Sequence, residues 1–511
     1  MTATIELSGH DLTVDDVERV AIDGARAELG ARALEQIAAS RALIDRVVAE
    51  GTPTYGVNTG FGRFVDVHIA PAQAAQLQLN LLRSHACGVG QPFPDEVVRA
   101  ATLLRANALA KGTSGVRVEP VRLLLDMLAA GVHPVVPSRG SLGASGDLAP
   151  LAHLGLVLVG EGFARVGAET MPGADALARA GLEPIVLAAK EGLALINGTQ
   201  FMAAIGALVL ARARRLVKLA DVAAAQTIEA VRGSRTPFAP ELQALRPHPG
   251  QVASAANLYR LLDDSEIVAS HRWCGRVQDA YSLRCAPQVH GAVRDAVAYA
   301  EGVVGIELNA ATDNPIVLAE RGEVLSNGNF HGQPVAFALD MLKLALHELA
   351  SISERRIERL LNPALSNGLP PFLTADGGLN SGFMIAQYVA ASLVSEGKVL
   401  VHPASADSIP TSAGQEDHVS MGATAAVHLW HECANVERVL GIELLCGAQG
   451  LDFLAPKRPG RAVGAAHAAV REISPHLAAD RSLTAEIEAL AGRIRDGSLL
   501  AVVERGSAPL H

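Results

Sequence analysis

Three consecutive residues, Ala144-Ser145-Gly146, hold the most reactive chemistry this sequence can make. None of the twenty side chains is a good electrophile, yet this tripeptide can become one. Gly146 has no Cβ, so its backbone nitrogen can bend back onto the Ala144 carbonyl carbon. That closure, with loss of the Ser145 hydroxyl, expels two waters and leaves a five-membered imidazolone bearing an exocyclic methylene that accepts an amine. The tripeptide lies in the run Gly-Ser-Leu-Gly-Ala-Ser-Gly-Asp-Leu-Ala-Pro, residues 140–150. Taken alone it also reads as a Gly-rich turn opening a helix, with Asp147 as the cap. A serine-hydrolase elbow is disfavoured. Asp147 stands where that motif needs glycine, and no strand-like apolar run precedes it.

An amine-accepting electrophile suits removal of ammonia from an α-amino acid. The amine is a poor leaving group and the β-proton is barely acidic, so a positioned base is also needed. A cation, ideally a bidentate arginine, should hold the carboxylate. Residues 55–62, Tyr-Gly-Val-Asn-Thr-Gly-Phe-Gly, form a Gly-rich segment that can move as a lid while presenting the phenol of Tyr55. Asp313-Asn314-Pro315 and Ser326-Asn327-Gly328-Asn329 are turn formers.

The elements that must carry these groups read as helices. Residues 201–236, 335–361, 374–402 and 411–455 are proline-free and helix-periodic; in the second, Leu339, Leu342, Leu346 and Leu349 recur at spacings of three and four. Such lengths exceed the roughly 11–12 residues of an average helix and predict one continuous helical bundle. Within that single chain, an N-terminal part of about 1–200 carries the reactive loop, 201–455 the bundle, and 456–511 a helical cap. Strand signals, such as Val303-Val304-Gly305-Ile306-Glu307, are short. The fold class expected is therefore mainly all-α, with minor short strands near the N-terminal part. No repeat, Rossmann fingerprint or Walker loop is present.

A formal charge of −10 over 511 residues argues against nucleic acid as the main partner, and 4% aromatics suggest no stacking ladder. The start has neither a basic region nor an apolar core, and the apolar run 201–211 is about half of a membrane span. Five scattered cysteines, Cys87, Cys274, Cys285, Cys433 and Cys446, read as reduced thiols in the cytoplasm and indicate no metal site.

The 140–150 run resembles the self-made methylidene-imidazolone (MIO) site of the aromatic amino-acid ammonia-lyases. From Tyr55 almost to the C-terminus the sequence is similar to the members that act on histidine. Asn197-Gly198-Thr199-Gln200 matches a family segment in which the asparagine supports the imidazolone; alone, Asn197 reads as a helix N-cap. Gln278-Asp279-Ala280-Tyr281-Ser282-Leu283-Arg284-Cys285 matches another. The resemblance implies that Arg284 clamps the carboxylate, Gln278 orients the substrate and Tyr281 serves the proton transfer or the imidazolone; if helical, Tyr281 and Arg284 share a face. Ser326–Gly332 implicates Phe330 beside the imidazolone, and Tyr55 matches the lid tyrosine. The base role stays open between Tyr55 and Tyr281. A free phenol titrates near 10, so either needs its proton affinity lowered.

Two positions bear on substrate choice. Arg83-Ser84-His85-Ala86 has Ser-His where relatives acting on tyrosine carry His-Leu and those acting on phenylalanine Phe-Leu. Gln415-Glu416-Asp417-His418 has a carboxylate where those relatives carry amides. Glu416 can accept from an imidazole N–H and His85 can complete the pairing, whereas a phenyl ring would leave a buried carboxylate unpaired. Ala413-Gly414 departs from the commoner Ala-Asn, which bears on backbone stiffness there.

The resemblance thus implies non-oxidative conversion of L-histidine to trans-urocanate and ammonia, in histidine degradation. It implies a homotetramer with shared active sites, no metal, and no cofactor beyond MIO made from Ala144, Ser145 and Gly146. The alternatives are a tyrosine or phenylalanine lyase, an aminomutase, and, from another class, a non-catalytic helical scaffold.

Overall fold

The computed structural model describes residues 4–60, 62–64, 66–143 and 146–511. Ala144 and Ser145, and Phe61 of the Gly-rich segment, lie outside the described residues. Helices dominate, and the nine strands among the described residues have three or four residues each. The chain divides into two compact units, one of Met1–Ala211, Glu301–Asp340 and Pro403–Val427, the other of Arg212–Ala300, Met341–His402 and His428–His511.

The first unit holds all nine strands. Val132–Pro134, Phe163–Val166 and Glu169–Pro172 make an antiparallel three-stranded sheet, and three two-stranded pairs complete the set, one of them at 316–325. Around them pack helices with clear start and stop chemistry. Thr13 and Asp16 form a capping box on Val14–Ala21, and the Ala31–Glu50 and Val118–Ala130 helices end at left-handed Gly51 and Gly131. Deeply set among them is Asp95–Ala110, buried at every residue from 100 to 110 although Arg105 and Asn107 lie among its apolar residues.

The helix lengths expected from periodicity are largely realised. Gln333–Leu361 and Gly422–Asp452 run 29 and 31 residues, and Leu342, Leu346 and Leu349 are wholly buried. A buried Arg356 makes a two-pronged pair with Glu443, which also accepts from Thr227 and Ser353, so the ion pair is fully hydrogen-bonded.

Three local expectations are corrected. Val303–Glu307 is not a strand; it completes the Ala286–Glu307 helix, where tertiary packing overrides β-propensity. Residues 374–383 are turns, because Asp376-Gly377-Gly378 and Asn380 favour turns over helix, and the helix spans only Met384–Leu400. Residues 411–421 likewise hold no α-helix: Ser412, Ala413 and Gly414 are consecutive residues of positive φ, a conformation that a right-handed α-helix cannot hold. The segment Met384–Ala406 is apolar and long enough for a membrane span by composition, and 17% of its most apolar window is buried.

Candidate active site

The reactive loop is clasped on both sides. On its N-terminal side the Leu142 carbonyl accepts from Met421 N–H, and the Gly143 carbonyl accepts from the Ser420 hydroxyl and from Gly332 N–H. On its C-terminal side Gly146 pairs with Gly198 as a parallel bridge, and Asp147 N–H donates to the Gly198 carbonyl. Gly146 is left-handed, with φ of +76°, and a Cβ there would lie 2.2 Å from the Gly198 oxygen. Only glycine fits that conformation and approach.

Asp147 precedes the Leu148–Leu158 helix but makes no side-chain cap bond. Its carboxylate instead accepts from the Ser141 hydroxyl at 2.9 Å and from Met202 N–H at 2.9 Å. Complete burial pushes its pKa up to about 6, opposed by those donors.

Asn197 is not the N-cap of the following helix. It follows the last residue of the Glu191–Ile196 helix, and Gln200–Ala230 begins three residues later. Its Nδ2 donates to the Asn314 carbonyl at 3.3 Å, while its Oδ1 is buried without a partner among the described residues. A buried acceptor with no donor is costly and is a feature expected of a site built for another group. Together with the Gly146–Gly198 approach, this orphan oxygen fits an imidazolone at 144–146.

The first unit also holds Tyr55, His85, Phe330 and Glu416. Ala74–His85 ends at His85, whose Nδ1 lies 2.9 Å from the Leu81 carbonyl and 3.0 Å from the Ser84 hydroxyl. A carbonyl only accepts, so Nδ1 carries the proton and Nε2 is left with a lone pair. Burial lowers the His85 pKa, against the Leu81 bond and the Glu416 carboxylate, which favour the charged form. The Glu416 carboxylate accepts from the Thr411 hydroxyl at 2.6 Å, and the backbones of the two residues pair. Gly414 sits in the left-handed region at φ +84°, so the glycine departure noted above suits the local backbone. Phe330 is half-buried, two residues from Gly332, which donates to Gly143.

Tyr55 is half-buried in a turn. Burial raises its pKa; the Gly62 N–H lowers it, and the carboxylates of Glu416 and Asp313 raise it further. The net direction opposes the lowering expected of a general base. The loops carrying Tyr55 and Glu416 meet closely, since a Cβ on Gly62 would lie 2.8 Å from Ser412 Oγ.

Gln278, Tyr281 and Arg284 belong to the second unit. Gln278 is exposed. Tyr281–Arg284 is a single helical turn, with the guanidinium of Arg284 4.8 Å from the centre of the exposed Tyr281 ring, so the three-residue spacing does place them on one face. Behind them Arg356 Nη1 reaches the Ser282 carbonyl at 3.5 Å.

Sequence reasoning missed Arg105. It is fully buried, donates from Nη1 to the Asn197 carbonyl at 2.8 Å, and would be 2.9 Å from a Cβ on Gly198. The available signal was an arginine inside an otherwise apolar helix, since such a charge needs a buried partner.

The family model for aromatic amino acid lyases matches residues 12–472. A histidine ammonia-lyase of Gloeobacter violaceus is 58% identical over 504 residues, which is 99% of this chain and 98% of that protein. The crystal structure of histidine ammonia-lyase from Trypanosoma cruzi superposes with a TM-score of 0.91 at 45% identity, covering 99% of this chain and 96% of that one. Tyrosine aminomutase from Streptomyces globisporus superposes with a TM-score of 0.94 at 38% identity, and each chain is covered completely.

Proposed function

The chain belongs to the aromatic amino acid lyase family, and on that premise we propose that it is a carbon–nitrogen lyase that converts L-histidine to trans-urocanate and ammonia. The observation that carries the substrate assignment is the nearness of the Glu416 carboxylate to the His85 ring. The Glu416 carboxylate is within electrostatic reach of both His85 and Tyr55. Relatives bearing the name histidine ammonia-lyase support the same substrate.

The imidazolone formed from Ala144, Ser145 and Gly146 supplies an electrophile for the substrate amine, which turns a poor leaving group into a good one. The chain's own residues do the rest. Glu416 accepts a ring N–H of the substrate, and His85 Nε2 offers its lone pair to a protonated second ring nitrogen. Asn197 Oδ1 faces the need for a donor at the loop. Arg284 holds the carboxylate, Gln278 orients the substrate, and Phe330 packs beside the loop. Tyr55 or Tyr281 removes the β-proton as the Cα–N bond breaks, so the proton, the amine and the new double bond balance to urocanate and ammonia. No metal has a part in this scheme, and no cluster of metal-ligating side chains occurs among the described residues.

We further propose a cytoplasmic homotetramer with active sites shared between subunits. Exposed apolar side chains on the Met384–Leu400 helix, including Ile385, Tyr388 and Val399, support a protein interface better than a membrane span.

The test is to incubate the purified protein with L-histidine, L-tyrosine and L-phenylalanine, follow urocanate absorbance, and measure the intact mass. Urocanate from histidine with a mass short by two waters is expected. Turnover of tyrosine without histidine would overturn the substrate, and a β-amino product would make the enzyme a mutase.

A further inference from the structure

Arg105 is an expensive residue to keep. It is wholly buried, and burial lowers its pKa to about 10 despite the nearby Asp313 carboxylate. Its Nε and Nη2 are buried without partners among the described residues, so its one hydrogen bond is Nη1 to the Asn197 carbonyl. That carbonyl begins the peptide leading to Gly198. The Gly198 carbonyl accepts Asp147 N–H, and Gly198 lies so close to Gly146 that a Cβ on Gly146 would be 2.2 Å from the Gly198 oxygen, while a Cβ on Gly198 would be 2.9 Å from Arg105 Nη1 itself. Arg105 therefore holds one end of a short backbone segment whose other end touches the ring-forming loop.

We propose that Arg105 is a positioning residue for ring closure: it fixes the Asn197–Gly198 peptide, which in turn bends Gly146 toward the carbonyl it must attack. This rests on the imidazolone reading above. In that closure a bond forms between Gly146 N and the Ala144 carbonyl carbon. The carbonyl oxygen leaves as water with the amide hydrogens of Gly146 and Ser145, and the Ser145 hydroxyl leaves as a second water with its α-hydrogen. No oxidant or reductant is needed. Only one of the five guanidinium donors is used, so a lysine, which donates from a single point, can replace it, and an apolar side chain of similar length cannot.

The experiment compares intact masses and thermal unfolding of the full-length wild-type protein, Arg105→Lys and Arg105→Met. Expected is full loss of two waters in wild type and Arg105→Lys. In folded Arg105→Met the dehydrated fraction, sampled early after synthesis, falls about tenfold or more, the factor commanded by a lost hydrogen bond to a charged group. A folded Arg105→Met that dehydrates like wild type overturns the proposal, as does a folded Arg105→Lys that stays hydrated. If Arg105→Met does not fold, a matured Arg105→Lys upholds it. Failure of both to fold overturns it in favour of a purely structural role. A wild-type mass retaining both waters instead refutes the imidazolone itself.

Discussion

Asp147 N–H donates to the Gly198 carbonyl at 2.6 Å, and this bond ties the ring-forming loop to the segment that follows Asn197. A Cβ on Gly198 would lie 2.4 Å from Gln200 Oε1, 2.6 Å from Thr312 Oγ1 and 2.9 Å from Arg105 Nη1, at a φ of +155°. Gly198→Ala is expected to displace this segment and leave most chains hydrated. Mass spectrometry of the folded variant checks it, and full dehydration would show that the close approach is dispensable.

Glu416→Gln keeps the shape and removes the charge. We expect kcat/KM for L-histidine to fall about 10–100-fold, the range for a lost hydrogen bond to a charged group, with the two-water mass deficit intact. Steady-state kinetics with urocanate detection decides, and an unchanged kcat/KM would remove Glu416 from substrate recognition.

Tyr55→Phe should lower kcat by about 10²–10⁴, the usual worth of a general acid or base, while the mass deficit persists. In the parent enzyme the Tyr55 pKa lies above its ordinary value, so if this phenol is the base, activity climbs with pH on the alkaline side. Removing the Glu416 carboxylate lowers that pKa and shifts the climb to lower pH. A pH profile of kcat in Glu416→Gln that does not move would assign the base to Tyr281.

Glu229 tests the bundle's electrostatics away from chemistry. Burial raises its pKa from 4.5 to about 7, although Gly460 N–H and the Ser265 hydroxyl favour the charged form. A folded pKa above the unfolded one means that the folded state binds more protons between those values. Its contribution is therefore largest below pH 4.5 and declines as pH rises to about 7. The difference, 7 − 4.5, corresponds to roughly 3 kcal/mol. Relative to wild type, Glu229→Gln should gain stability by about that amount between pH 4.5 and pH 8. Denaturant melts at the two pH values measure it, and parallel changes in both proteins would contradict the assignment.

Much of this was legible in the sequence. The leucine spacing of 339–349 specified a helix because one face had to be buried. Gly146 announced itself because cyclisation needs a residue without Cβ, and the folded backbone requires the same thing for a second reason, the approach of Gly198. Other features were hidden. Val303–Glu307 looked strand-like because β-branched residues carry a weak local preference that long-range packing overrides. Asn197 and Asp147 looked like helix caps, the commonest local use of those side chains; their actual partners, Asn314 and Met202, are 117 and 55 residues away. The direction of the Tyr55 pKa was unreadable for a similar reason, since it depends first on burial in the folded chain and then on groups such as Glu416 and Asp313, both more than half the chain distant.

Arg105, Asp147, Asn197 and Gly198 all fall within one unit of one polypeptide. On the imidazolone proposed above, ripening therefore needs one chain alone, and a chain stripped of Tyr281 or Arg284 should still acquire its reactive group. In the shared-site homotetramer proposed above, two crippled populations, one unripened and the other lacking the clamp, should rescue each other when blended, each lending the part its neighbour lacks.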